Sequence, residues 1–242
     1  MKINAYNGAI IFGDAHRKYD EYLNTAAICL IFKAEREKKI VVLNGDTLDL
    51  VFYGKEKYEG SGIVTQLRNL SYDVDLYFVV GNHTGMMSWA KELFKNSNVK
   101  VVKSLDVTVN NTKWHIEHGD RFSIDWGPFG WLYLLVVQAF LRIAPKFWLK
   151  LMRPWLPREV KKLKGGDSQQ YTRLTGIIWS REMDWAAKHN TNFVGNHTHK
   201  TFNADFGRQL LDAGDINDGS FVNISADGCG QIGTVTDKGI EY

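Results

Sequence analysis

Ala9-Ile10-Ile11-Phe12-Gly13-Asp14-Ala15-His16 is the stretch that decides the fold. Four apolar residues running into a glycine and two polar side chains predict a buried strand that delivers a polar loop. The pattern then recurs. Residues 19–38 carry Tyr22, Ala26, Ile28, Cys29 and Phe32 among charged positions, which predicts a helix. Ile40 to Leu43 is a second apolar run, ending in Gly45-Asp46, and Asp75 to Val80 is a third, ending in Gly81-Asn82. Strand, helix, strand, with a polar loop after each strand, predicts a layered α/β fold. In such sheets, sites gather at the carboxyl ends of the strands.

Further strands are predicted at Val99 to Lys103, Leu105 to Val109 and Lys113 to Glu117, the last two joined by an Asn110-Asn111 turn. Others follow at Thr191 to Gly195, Phe206 to Leu211, Phe221 to Ile224 and Gln231 to Thr236. Strands in both halves of the chain imply a two-sheet core. An amphipathic helix is predicted from Asp167 to about His189.

Five of the seven histidines fall in short motifs, in a fixed order. They are Asp14-Ala15-His16, Gly81-Asn82-His83, His118-Gly119-Asp120 and Asn196-His197-Thr198-His199, with Gly45-Asp46-Thr47-Leu48-Asp49 between the first two. Singly, each has a plain reading. Asp-x-His is a common turn, a carboxylate after a strand is often a helix cap, and a lone histidine is usually structural. Together, each block follows an apolar run and ends in a hard-oxygen or imidazole donor, as a two-metal phosphoester-cleaving site requires. His115 and His189 stand outside the series and read as structural.

This order resembles the calcineurin-like metallophosphoesterase superfamily over residues 10 to about 200. The resemblance implies a four-layer αββα sandwich with metals at the strand ends. It implies that Asp14, His16 and His199 bind one ion, that Asn82, His118 and His197 bind another, and that Asp46 bridges them. His83 would serve as proton donor or charge stabiliser at the substrate, and Asp49 would orient a ligand histidine. Carboxylate, amide and imidazole without thiolate suit two divalent ions, manganese first, with iron, zinc or magnesium as alternatives. Two positions depart from the pattern. Thr84 stands where an acid often orients the preceding histidine, so His83 is a poorer acid unless another carboxylate substitutes. Asn196 replaces a glycine, a change the tolerance of asparagine for unusual backbone angles would accommodate.

The rest of the chain bounds the reading. With 242 residues, it is long enough for one large core, and a single domain is expected over residues 1–242. Two cysteines make no disulfide framework, and Met1 to Asn7 lacks the apolar core of a secretory signal. A cytoplasmic setting is expected. The formal charge of +3 is unevenly spread. Residues 126–164 hold eight basic side chains against one acid, all four prolines and four of the eight tryptophans. They predict a helical cap or lid insert. Its apolar run Phe129 to Ala144 is shorter than the roughly 20 residues a membrane span needs. A crossing there would also put His118 and His197 on opposite sides. The insert instead suggests peripheral membrane contact or a lipid-phosphate substrate. Its layout resembles the UDP-2,3-diacylglucosamine pyrophosphatase branch of the superfamily.

The expectation is therefore a two-metal hydrolase of a phosphoester or pyrophosphate bond in a phosphorylated small-molecule or lipid-linked substrate. Two rivals remain: a nucleic-acid phosphodiesterase using the same metals, and a non-catalytic metal-bound scaffold. The first is disfavoured by the dense apolar content of the insert. The second is disfavoured by His83, which a scaffold does not need.

Overall fold

The computed structural model describes residues 1–84, 86–123, 169–205 and 207–242, so the insert predicted at 126–164 lies outside the described residues. The chain divides into two compact units, residues 1–120 with 182–242, and residues 121–181. In the second, Arg181 Nη1 donates to the Phe122 carbonyl at 2.8 Å.

The strands of the first half are β1 (Lys2–Asn4), β2 (Ala9–Phe12), β3 (Ile40–Asn44), β4 (Leu76–Val79), β5 (Lys100–Val102), β6 (Leu105–Val109) and β7 (Thr112–Ile116). Those of the second are β8 (Asn192–Gly195), β9 (Thr201–Asp205), β10 (Gln209–Ala213), β11 (Ser220–Ile224), β12 (Gly230–Thr236) and β13 (Gly239–Glu241). The helices are α1 (Thr25–Glu37), α2 (Leu50–Tyr53), α3 (Lys55–Tyr58), α4 (Gly62–Leu70), α5 (Met87–Leu93), α6 (Asp120–Ser123) and α7 (Gln169–His189).

The strands form two sheets, ordered β13-β12-β11-β2-β3-β4-β5 and β1-β6-β7-β8-β10-β9. Strands β2 to β5 run parallel, and every residue of β2, β3 and β4 is buried. Covered on both faces, they read as continuous apolar runs rather than alternating ones. One face carries Ile10, Phe12, Leu43 and Phe78 against Leu30, Ile31, Val64, Leu67 and Leu93 of α1, α4 and α5. The other carries Ile11, Val42 and Val79 against Val107, Trp114, Ile116, Val194 and Leu211 of the second sheet. Trp185 of α7 packs on His115 and Phe193 at ring separations of 4.3 and 5.7 Å. The expected four layers are therefore present. Among the described residues, no helix is long and apolar enough to cross a membrane.

Three details correct the sequence expectation. Helix α1 begins at Thr25 rather than residue 19, because the Asn24 side chain accepts from Ala27 N at 2.8 Å and caps it there. Its buried face is Ala27, Leu30, Ile31 and Ala34, while Cys29 and Phe32 are exposed. The single strand expected at 206–211 is replaced by two, β9 and β10, paired from Thr201↔Ala213 to Asp205↔Gln209.

Candidate metal centre

Five chain segments end together at one edge of the two sheets. Gly13–His16 follows β2, Gly45–Asp49 follows β3, and Gly81–His83 follows β4. From the second sheet, His118 lies just past β7 and Asn196–His199 just past β8. Asp14, Asp46 and His118 are buried.

Among the described residues, three triads have donor atoms that all lie within 4.8 Å of one another: Asp14, His16 and His199; His16, Asp46 and His83; and Asp46, His118 and His197. Asp46 belongs to two of them, one with His16 and His83 and one with His118 and His197. Its Oδ2 lies 3.1 Å from His118 Nε2, and its Oδ1 accepts from the His83 backbone N–H at 2.8 Å. His118 Nε2 is also 3.1 Å from Asn82 Oδ1 and 3.2 Å from His197 Nδ1. The structure thus brings together all seven predicted ligands.

These distances fit a cation. Ligand bonds of about 2.0–2.2 Å set neighbouring donor atoms roughly 3.0–3.4 Å apart, the spacing found around His118 Nε2. One imidazole nitrogen cannot serve two oxygens and another nitrogen as partners at once. Among the described residues, Asp14 Oδ1 and His118 Nδ1 are also buried with no hydrogen-bond partner, and they lie 3.9 Å from each other. Buried polar atoms without partners are costly, and a divalent ion would satisfy the carboxylate oxygen.

The backbone carries the same signature. Asp14, His16, Asp46 and His199 adopt φ of 51°, 46°, 41° and 55°. Left-handed conformations of non-glycine residues cost energy and tend to cluster at functional sites. Gly45 and Gly81 are required by close approach. A Cβ on Gly45 would fall 2.2 Å from His118 Nδ1, and one on Gly81 would fall 2.2 Å from Asp46 Oδ1.

Electrostatics follow from burying acids and imidazoles together. Burial pushes the Asp14 carboxyl up to about 7, against the pull of His118 and His199. Burial works against charge on Asp46 too, but His118 and His83 hold it well below the usual carboxylate range. For His118, burial opposes the imidazolium, yet Asp46 and Asp14 outweigh it and push it up to about 10. Burial and the neighbouring His118 push His197 down to about 3.

Asp49 sits beneath two histidines. Its Oδ1 is 2.9 Å from His16 Nδ1 and 2.8 Å from His83 Nδ1. Each ring is thereby held with Nε2 free for a ligand or substrate. Asp49 supplies the carboxylate that Thr84 cannot, since Thr84 is buried and its hydroxyl accepts from Gly81 N at 3.4 Å. The exposed ring of Phe52 packs edge-on against His83 at 4.8 Å.

Two acids escaped the sequence reading. Asp215 lies 3.7 Å from His199 Nδ1, and its other oxygen accepts from Asn217 N at 2.7 Å. Glu182 of α7 is fully buried, with Oε1 2.5 Å from where a Cβ on Gly119 would stand and 2.9 Å from one on Gly195. Neither belongs to a spaced motif. Asp215 carries only the faint signal of an Ala-Gly-Asp step after an apolar run. His115, read as structural, is bound on both nitrogens, to Asp106 at 2.6 Å and to Glu117 at 3.1 Å.

With this geometry in hand, comparison with solved structures identifies the fold. Vacuolar protein sorting 29 from Cryptosporidium parvum superposes over 97% of this chain and 94% of its own, with a TM-score of 0.50 and 16% identity. The chain shares the fold of that structure, two stacked sheets flanked by helices. Lower-scoring likenesses include a Streptococcus pneumoniae protein described as a predicted phosphoesterase (TM-score 0.45, 13% identity, 98% and 92% coverage). Another is Vps29 of Entamoeba histolytica complexed with zinc (TM-score 0.47, 14% identity, 96% and 95% coverage). No family model and no curated protein sequence matches the chain. At 16% identity the likeness to Vps29 is one of fold.

Proposed function

We propose that the chain is a two-metal-dependent hydrolase of a phosphoester or pyrophosphate bond in an amphiphilic or nucleotide-linked substrate. One observation carries the reading: Asp46 is shared between a triad with His16 and His83 and a triad with His118 and His197. A carboxylate in that position suits a bridge between two ion sites. Asp14 and His199 complete one site with His16, and Asn82 completes the other with His118 and His197. Divalent ions held there would supply Lewis-acid stabilisation of the phosphoryl oxygens as charge builds.

The chain's own groups do the rest. Asp49 fixes His83 through Nδ1 and leaves Nε2 to donate a proton to the leaving oxygen. The Phe52 ring beside it offers an apolar surface to the leaving group. Oxygen and imidazole donors without a thiolate favour manganese, with iron, zinc or magnesium as alternatives. The basic, aromatic stretch 126–164 supports a lipid-linked substrate and peripheral membrane contact.

The test is a screen of purified protein with Mn²⁺ over phosphomonoesters, phosphodiesters, nucleoside-diphosphate sugars and lipid phosphates. Metal-dependent turnover that disappears in Asp46→Ala and His118→Ala supports the proposal. No turnover on any class, or turnover that survives both substitutions, refutes it.

A further inference from the structure

Asn196 stands where the resemblance led one to expect glycine, and its backbone does not explain it. Among the described residues, Asn196 is not one of those with positive φ; in its loop that conformation falls on His199. The tolerance of asparagine for unusual backbone angles is therefore not called on at this position. What distinguishes Asn196 is its side chain. It is fully buried, and its Nδ2 donates to Asp14 Oδ2 at 2.6 Å and to the Gly214 carbonyl at 2.9 Å. Gly214 O can only accept, so the amide nitrogen must face this side. The backbone N–H of Asn196 donates to the His118 carbonyl at 3.1 Å, which ties the same residue to the other half of the centre.

We infer that Asn196 is a positioning residue that pins one oxygen of Asp14 and leaves the other as a single metal-ligand atom. Asp14 Oδ2 is occupied by a short charge-assisted bond, while Oδ1 is buried, has no hydrogen-bond partner among the described residues, and meets His16 Nε2 and His118 Nδ1 only as ion-pair contacts at 3.9 Å. The carboxylate cannot turn to chelate an ion through both oxygens without giving up the Asn196 bond. A glycine would supply no such donor. The amide therefore sets how Asp14 binds, and with it the affinity of the Asp14–His16–His199 site. The inference rests on the metal-dependent reading proposed above.

Mn²⁺ titration calorimetry, with metal analysis after dialysis, tests it on wild type, Asn196→Gly and the near-isosteric Asn196→Asp. Loss of partners that orient a metal ligand typically costs 10–100-fold in affinity. Both variants should show that loss at one of two sites. In the Asn196→Gly background, His199→Ala should add little further loss, whereas His197→Ala should weaken the remaining site. Co²⁺ gives a signature that mere loosening would not. Asp14 released to bind through both oxygens raises the coordination number, so the visible absorption of the Asn196→Gly complex should fall relative to wild type.

Wild-type protein that binds two ions, with both affinities unchanged within about two-fold in Asn196→Gly and Asn196→Asp, overturns the inference alone. Wild-type protein that binds no divalent ion overturns the metal reading and the inference together. Should Asn196→Gly fail to fold, Asn196→Asp decides by the same two-fold criterion, because it preserves the packing volume.

Discussion

A single oxygen of Asp49 serves His83 and His16 at once, 2.8 Å from Nδ1 of the first and 2.9 Å from Nδ1 of the second. Burial disfavours charge on this carboxylate, but its bonds to the two histidines hold its pKa below the usual range. It therefore remains an acceptor at neutral pH and fixes both rings by the same means. Asp49→Ala should reduce turnover and metal affinity together, each by roughly 10–100-fold. His83→Ala should reduce turnover by about 10²–10⁴-fold while leaving metal affinity near wild type. Metal titrations beside steady-state kinetics separate the two. Equal metal affinity in wild type and Asp49→Ala would remove the link to His16.

Metal uptake should release protons. The metal-free centre holds His118 charged at neutral pH, since its pKa stands at about 10, and part of Asp14 protonated, with a pKa of about 7. Ligands must be deprotonated to bind, so at pH 7.5 each centre filled should expel roughly one proton or more. Affinity should accordingly rise with pH. Calorimetry in buffers of different ionisation enthalpy reads the proton count directly, and a count of zero would contradict the assignment of His118.

The same shift makes a stability statement. His118 has a folded pKa of about 10, above its unfolded value of 6.5. Its stabilising contribution is thus complete below about pH 6.5 and is lost as pH rises through 10. Asp14 moves the same way, from 3.8 to about 7, so its part is already gone near neutrality. Metal-free protein should therefore melt at a falling temperature between pH 7 and 10. Saturating metal should flatten that slope, because bound metal replaces the proton. Thermal scans with and without a chelator compare the two.

Much of this was legible in the sequence, for identifiable reasons. Strands β2, β3 and β4 are buried on both faces, so their apolar runs stand out, and each hands over to a ligand loop within two residues. The Asn110-Asn111 hairpin was readable because both residues take left-handed φ, of 45° and 66°, as such a turn demands. Strand β1 was not readable. Its three residues are largely exposed, and it exists only by pairing Lys2 with Asp106 a hundred positions away. Supporting acids were hidden for a related reason. Asp215 meets His199 and Glu182 packs against Gly119 and Gly195 through tertiary folding, and no local spacing marks either. Asn196 was visible as a departure from the family pattern, but its bond to Asp14 spans 182 residues and could not be foreseen.

Gly45 offers a test of close packing at the centre. Its φ is 81°, and a Cβ there would lie 2.2 Å from His118 Nδ1 and 2.7 Å from His118 Cβ. Gly45→Ala must therefore strain the backbone and displace the His118 ring together. A cost of about 3 kcal/mol is expected, in the upper range for single substitutions. For a chain of this size that is a fall in melting temperature of roughly 6–12 °C, with metal binding weakened as well. Gly60→Ala is the control, since Gly60 has a similar φ of 76° but nothing within 4 Å of where its Cβ would stand. It should show the backbone penalty alone and normal metal binding.

His199 gives the converse case, in which the proposed ligand role is the source of strain. It holds φ at 55° with its side chain 41% exposed, and among the described residues it meets Asp215 as an ion-pair contact at 3.7 Å. Its ring also stacks on His16 at 5.2 Å, and its backbone N–H donates to the Asn196 carbonyl at 3.4 Å, a bond that glycine would keep while adopting the conformation freely. His199→Gly should therefore be at least as stable as wild type when metal is absent, despite the greater chain entropy of its unfolded state. When metal is added, wild type should gain melting temperature by linkage, and the variant should gain much less because one ligand is gone. Paired thermal scans at equal metal concentration measure both effects. If His199→Gly is clearly less stable than wild type without metal, then Asp215 and its neighbours, rather than a cation, are what hold His199 in place.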